Sequence, residues 1–294
     1  MAQDAAWHEI INPQNEIIDR VGELAFRHCT VPSQQTDRKV QCAWLDVPEN
    51  HARATGKTIP IFVVRLPARR HVKNIEDPVV LLAGGPGQSA AEAFLFVDSQ
   101  WPRLAKHRDL YLIDQRGTGR SNPMNCEAVF SELNFDPHDP DYARLQRATI
   151  QCLQQLEADP AQYTTVNWVQ DLERVRAALG VERWNVYGVS YGTRVATHYM
   201  RQHAGSIRSV VLDSPVYPEH VIGSEIAYRS DQAFYALLQA CENDRLCSER
   251  MPDTTTVISR FIEALRHKPI HAAVEDFSTG HTEQSALIDS QVLR

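Results

Sequence analysis

The sequence predicts an α/β fold, a doubly wound and mostly parallel sheet followed by a helical lid. Three observations carry this expectation. Short, strand-like apolar runs at 78–83, 109–113, 184–189 and 206–215 alternate with helical stretches, which implies parallel strands joined by right-handed crossovers. One of those runs passes through Gly188-Val189-Ser190-Tyr191-Gly192 straight into a helical stretch. Beyond Pro218 the pattern turns helical, so the core is assigned to 1–216 with an N-terminal hairpin region, and the lid to 217–294.

In chain order, residues 7–28 are expected to be helical in part, while 29–32, 40–48 and 58–66 read as short strands. Those strands predict an antiparallel hairpin region beside the main sheet. Arg69, Arg70, His71 and Lys73 read as a solvated basic turn. The run 78–83 is almost wholly apolar, as a strand covered on both faces requires, and it ends in Gly84-Gly85-Pro86-Gly87-Gln88-Ser89. This bend lacks both a Walker lysine and dinucleotide glycine spacing, which argues against nucleotide binding. The strand 109–113 closes on Asp114-Gln115-Arg116-Gly117-Thr118-Gly119-Arg120-Ser121; Asp114 is read as an acid capping turn N–H groups, with Arg116 its counterion. Residues 127–162 are polar and mostly helical by pattern, and 164–180 has apolar residues at helical spacing with Gly180 as its stop. Residues 224–268 are helical by period; the stripe on 257–265 reads as core packing.

Ser190 is the candidate nucleophile. A serine at the tip of a strand–turn–helix takes strained backbone angles, tolerated where the residues two before and two after carry no side chain that would collide. Gly188 and Gly192 meet that demand. The hydroxyl would then stand at a helix N-terminus, where the N–H of Tyr191 and a second N–H from the Gly84–Gly85 bend could hold a developing oxyanion. The competing reading is a glycine-bracketed strand end with an ordinary serine.

A net charge of −7 over 294 residues, with no long basic run, argues against a nucleic-acid partner. No apolar run approaches the roughly 20 residues that span a bilayer, so no membrane partner is expected. No basic segment followed by an apolar one opens the chain, hence no intact signal peptide is expected. The six cysteines fall as sequence-near couples, Cys29 with Cys42, Cys126 with Cys152, and Cys241 with Cys247. Without C-x-x-C spacing, disulfides are favoured over zinc, although about 15 connectivities are possible. Disulfides point to a periplasmic or secreted protein, the alternative being reduced, buried thiols in the cytoplasm. No metal and no cofactor are expected.

The assembled motifs, Gly84-Gly85-Pro86-Gly87, Asp114 to Ser121, and Gly188 to Gly192 followed by Thr193, resemble the α/β-hydrolase family that contains prolyl aminopeptidase and the secreted tripeptidyl aminopeptidases. The resemblance covers roughly 29–216. It implies a metal-independent serine exopeptidase that acts on peptide N-termini, with Ser190 as nucleophile and with Tyr191 and the Gly84–Gly85 turn as oxyanion donors. It also implies lid carboxylates that hold the substrate's ammonium, matched by Glu219 and Glu225. Family members complete the triad with an Asp and a His downstream of the lid, and this sequence stops at Arg294, within the stretch assigned to the lid. Asp213, His281, His198 and His203 are weaker matches, and none of the twelve histidines stands out as the base. Without a base a serine hydroxyl stays protonated and weakly nucleophilic. Three readings therefore stand: an aminopeptidase, an esterase or amidase on small acyl substrates, and a catalytically silent chain, either a binding module or an incomplete polypeptide whose missing part a second polypeptide supplies.

Overall fold

A computed structural model of the chain describes residues 16–31, 37–53, 55–69, 77–126, 142–219, 221, 223–276 and 281–288. Residues 17–28, expected to be partly helical, are extended instead. Leu24 and Phe26 are buried while their neighbours are partly exposed, the period-two alternation of a strand. Gly22, at φ 57°, turns strand β1 (Ile17–Val21) into β2 (Leu24–Val31). A side chain there would run into the backbone of Ala178 and Leu179. Residues 7–15 of the expected helix lie outside the described residues.

Strands β3 (Arg38–Pro48) and β4 (Thr58–Leu66) continue an antiparallel meander from β2. The meander does not stand beside the main sheet. It is part of it, because β4 pairs antiparallel with β6 (Leu110–Ile113). The reason is visible in β4, where Ile61 to Leu66 are all buried, as an interior strand requires. Strand β6 then pairs in parallel with β5 (Val79–Leu82), β5 with β7 (Trp184–Val189), and β7 with β8 (Ile207–Asp213). The order across the sheet is β1-β2-β3-β4-β6-β5-β7-β8.

Alternate residues of the strands feed two cores. Ile61, Val63, Val80, Leu82, Tyr111 and Val186 pack on one side with Trp168, Leu172, Val195 and Tyr199. Phe62, Val64, Val79, Leu81, Leu110 and Leu112 pack on the other with Leu95 and Val97. Helix α1 (Tyr142–Gln155) falls in the stretch expected to be helical, whose residues 127–141 lie outside the described residues. Helices α2 (Thr165–Ala178) and α3 (Tyr191–Gln202), with Leu179 just past α2, supply the first core's buried non-strand residues.

The expected pairing of Arg116 with Asp114 is not formed. Arg116 and Asp171 of α2 are both fully buried and bond in a fork, Nε to Oδ2 at 2.6 Å and Nη2 to Oδ1 at 2.7 Å. Arg116 Nη1 also donates to the carbonyls of Glu49 at 2.6 Å and Gln162 at 3.0 Å, and His51 Nε2 lies 2.7 Å from Asp171 Oδ1. Planar, bidentate geometry of this kind is what a guanidinium offers a buried carboxylate. Asp114 had closer donors of its own.

Three disulfides join the sequence-near couples: Cys29–Cys42, Cys126–Cys152 and Cys241–Cys247, with Cα separations of 5.9, 5.7 and 5.1 Å. The first two lie in one compact unit, 1–134 with 141–220, and the third in a second unit, 135–140 with 221–294. The second unit contains helices α4 (Ile226–Asn243), α5 (Arg245–Arg250) and α6 (Thr254–His267). Asp244 caps α5 through the Cys247 N–H at 2.8 Å, beside the bridge that ties α5 to α4. The region expected to be a helical lid is not helical throughout. Strands β9 (Ile270–Asp276) and β10 (His281–Ile288) form an antiparallel hairpin after α6. Among the described residues no helix is long and apolar enough to cross a membrane, and no cluster of three or more His, Cys, Asp or Glu could hold a metal.

Candidate active site

The parallel register brings several chain segments to one sheet edge. Leu82 pairs with Gly188 and Gly188 with Leu212, so the residues just past β5, β7 and β8 lie side by side. Open α/β sheets bind ligands at this carboxyl edge. Ser190 directly follows β7 and caps α3 with φ 52° and ψ −121°, a region a side-chain-bearing residue rarely occupies.

Both bracketing glycines are required by close backbone contact. A Cβ on Gly188 would stand 2.8 Å from the carbonyl carbon of Gly192, and one on Gly192 would stand 2.8 Å from the carbonyl oxygen of Ala83. The α3 N-terminus thus rests directly on the ends of β5 and β7. Gly192→Ala is expected to destabilise the fold by about 1–3 kcal/mol, as overpacking against unyielding backbone does. Urea unfolding measures this; a stability equal to wild type would contradict the contact.

The glycine bend after β5 lies against the serine. A Cβ at Gly84 would be 3.3 Å from Ser190 Cβ, and Gly85 has φ 101° with the backbone N–H groups of Gly87 and Gln88 close behind it. Tyr191 opens α3, so its N–H has no intrahelical acceptor and is available to an anion. Its hydroxyl is engaged elsewhere, 2.7 Å from Thr165 Oγ1. Thr193, which enters the sequence reading only as the tail of the motif, clamps the turn. Its Oγ1 donates to the Ser190 carbonyl at 2.6 Å and accepts from the Val216 N–H at 2.8 Å.

Asp114, fully buried past the end of β6, accepts from Ser89 Oγ at 2.8 Å, the Ala91 N–H at 2.9 Å and the Arg120 N–H at 3.0 Å. Burial raises its pKa above the ordinary aspartate value, and those donors pull the other way. Asp213, at the end of β8, accepts from Tyr187 Oη at 2.6 Å and Ser214 Oγ at 3.1 Å, which lowers its pKa. The Tyr187 hydroxyl is pushed up to about 12 by desolvation and by that carboxylate.

None of the weaker histidine matches is joined to Ser190 by these contacts. His198, on α3, has a lowered pKa from desolvation and from Arg201 and Arg194. His203 stacks on Tyr199 at 5.4 Å, with Nδ1 4.0 Å from Glu173. His281 begins β10, opposite Asp276, in the other unit. Among the described residues no side chain hydrogen-bonds Ser190 Oγ. Of the two carboxylates matched to ammonium binding, Glu219 is exposed after β8, and Glu225 precedes α4 in an ion pair with Arg229 at 3.1 Å.

The family model for the alpha/beta hydrolase fold matches residues 77–247, more than half of the chain. The chain belongs to the α/β-hydrolase family. Among curated proteins, this α/β hydrolase is 32% identical over 191 residues to serine protease Hip1 of Mycobacterium tuberculosis, covering 60% of this chain and 36% of that protein. It is 30% identical over 194 residues to tripeptidyl aminopeptidase of Streptomyces coelicolor, covering 62% and 36%. A probable proline iminopeptidase of the same organism is 32% identical over 140 residues, covering 46% and 32%. The match thus spans about a third of the length of these relatives.

Proposed function

We propose that the chain is the core of a serine exopeptidase that releases residues from peptide N-termini through an acyl-enzyme on Ser190. The observation that carries the reading is the φ of 52° at Ser190, between two glycines that backbone contact requires and against the Gly84 bend. Such a residue carries about 1–3 kcal/mol of strain, retained where a side chain must be presented. The relatives named serine protease and aminopeptidase support the same reading.

In this mechanism Ser190 Oγ attacks the scissile carbonyl as an imidazole takes its proton. The Tyr191 N–H and an N–H of the Gly84–Gly85 bend hold the oxyanion. The C–N bond then breaks, the leaving amine takes the proton from the imidazolium, and water releases the acyl group by the reverse sequence. Because no described histidine bonds Ser190, the imidazole and its orienting carboxylate are proposed to come from polypeptide outside the described residues, a second chain included. Glu219 is the favoured holder of the substrate's ammonium, since Glu225 is paired with Arg229. The three disulfides support a periplasmic or secreted location.

The test compares an aminoacyl arylamide bearing a free amine with its N-acetylated twin. The free amine is expected to be favoured in kcat/KM by about a hundredfold, the scale of a charged hydrogen bond left unmade. Equal rates would overturn the exopeptidase reading in favour of an esterase or amidase.

A further inference from the structure

We propose that Asp114 is the positioning residue of the oxyanion bend, holding the Gly84–Gly85 N–H groups where the Ser190 adduct needs them. This rests on the acyl-transfer reading above.

The bend is a span of backbone between two anchors. Its first end is Leu82, fixed in the sheet by pairing with Gly188. Its far end is Ser89 to Ala91, and Asp114 bonds that end directly. One carboxylate oxygen takes both Ser89 Oγ at 2.8 Å and the Ala91 N–H at 2.9 Å. Ser89 Oγ in turn accepts the Glu92 N–H at 3.2 Å, so the same chain of bonds caps the short helix Ala90–Ala93. The other oxygen takes the Arg120 N–H at 3.0 Å.

Asp114 is itself held rigidly. Its N–H donates to the Phe62 carbonyl at 3.1 Å, its carbonyl accepts from Ser121 Oγ at 2.7 Å, and Ser121 Oγ accepts the Phe62 N–H at 2.8 Å. Gly119, at φ 50°, lets the following turn fold down onto the carboxylate, since a Cβ there would lie 2.6 Å from Asp114 Cγ and 2.9 Å from Ser89 Oγ. The neighbouring Arg116 faces Asp171, so Asp114 answers to backbone and hydroxyl donors and not to that guanidinium. A buried acid bonded to the loop that supplies an oxyanion donor acts on the reaction through that loop.

The variant is Asp114→Asn, which keeps the size but turns one acceptor into a donor facing N–H or O–H groups. Hydrogen–deuterium exchange of the segment 83–93 is expected to rise roughly tenfold or more, the scale of a lost bond to a charged group, with 184–202 changed less than about twofold. On an arylamide substrate kcat is expected to fall about a hundredfold with KM near wild type, because oxyanion contacts are made in the transition state. Unchanged exchange in 83–93, or unchanged kcat in an active enzyme, overturns the proposal. Wild type that turns over no arylamide even with the polypeptide that carries the base present, and that takes up no fluorophosphonate at Ser190, overturns the acyl-transfer reading instead, and the exchange result then decides the positioning role alone. If Asp114→Asn does not fold, Ser89→Ala is the second variant, expected to raise exchange in the same segment and overturning the proposal if it does not.

Discussion

Ser190→Ala is expected to lower kcat on an arylamide by about six orders of magnitude, the scale seen when a serine nucleophile acting in concert with its base is removed. The substitution takes away only the attacking atom. Among the described residues Ser190 Oγ makes no hydrogen bond, and the strained φ of 52° is one that alanine must share, so no packing or hydrogen bond compensates or confuses the result. The unfolding midpoint is therefore expected to stay near wild type while a fluorophosphonate ceases to add to the intact mass. Retained labelling, or a kcat within tenfold of wild type, would remove Ser190 from the mechanism.

Asp171→Ala is expected to produce the largest loss of stability, about 3–5 kcal/mol, read by urea unfolding. Neither partner of the Arg116–Asp171 pair has accessible side-chain surface. Removing the carboxylate leaves a guanidinium in low dielectric with no anion paired to it, facing the carbonyls of Pro48, Glu49 and Gln162, the His51 ring and the Tyr163 ring 5.9 Å away. Replacing both partners by apolar residues of similar volume, Arg116→Met with Asp171→Leu, is expected to be milder than the single change, because no lone charge remains. A loss below 1 kcal/mol for Asp171→Ala would mean that water reaches the guanidinium.

The parallel half of the sheet is legible in the sequence because β5, β6 and β7 are covered by packing on both sides, which forces runs such as Val79–Leu82 to be apolar throughout. The nucleophile turn is legible for a similar reason. At Gly188 and Gly192 backbone meets backbone, and one residue type alone fits. The first strand is not legible: Ile17–Val21 is mostly exposed, so its side chains carry no period to betray it. Sequence proximity points Arg116 to Asp114, whereas its partner is Asp171, 55 residues away on a helix. The terminal hairpin β9–β10 follows the point at 268 where the helical period ends, inside the stretch assigned to a helical lid, and no strand signal is read there from the sequence. The base of the proposed reaction has no signature in any of the described histidines.

The amide of Ser190 has a further consequence. It donates to the Asp213 carbonyl at 2.9 Å, one step past the last residue of β7, so the nucleophile's own N–H is committed to the sheet. In the proposed acyl transfer both oxyanion donors must then belong to other residues, Tyr191 on one side and the glycine bend on the other. That arrangement dictates which prochiral face of an incoming carbonyl meets the hydroxyl, and it does so through main-chain atoms.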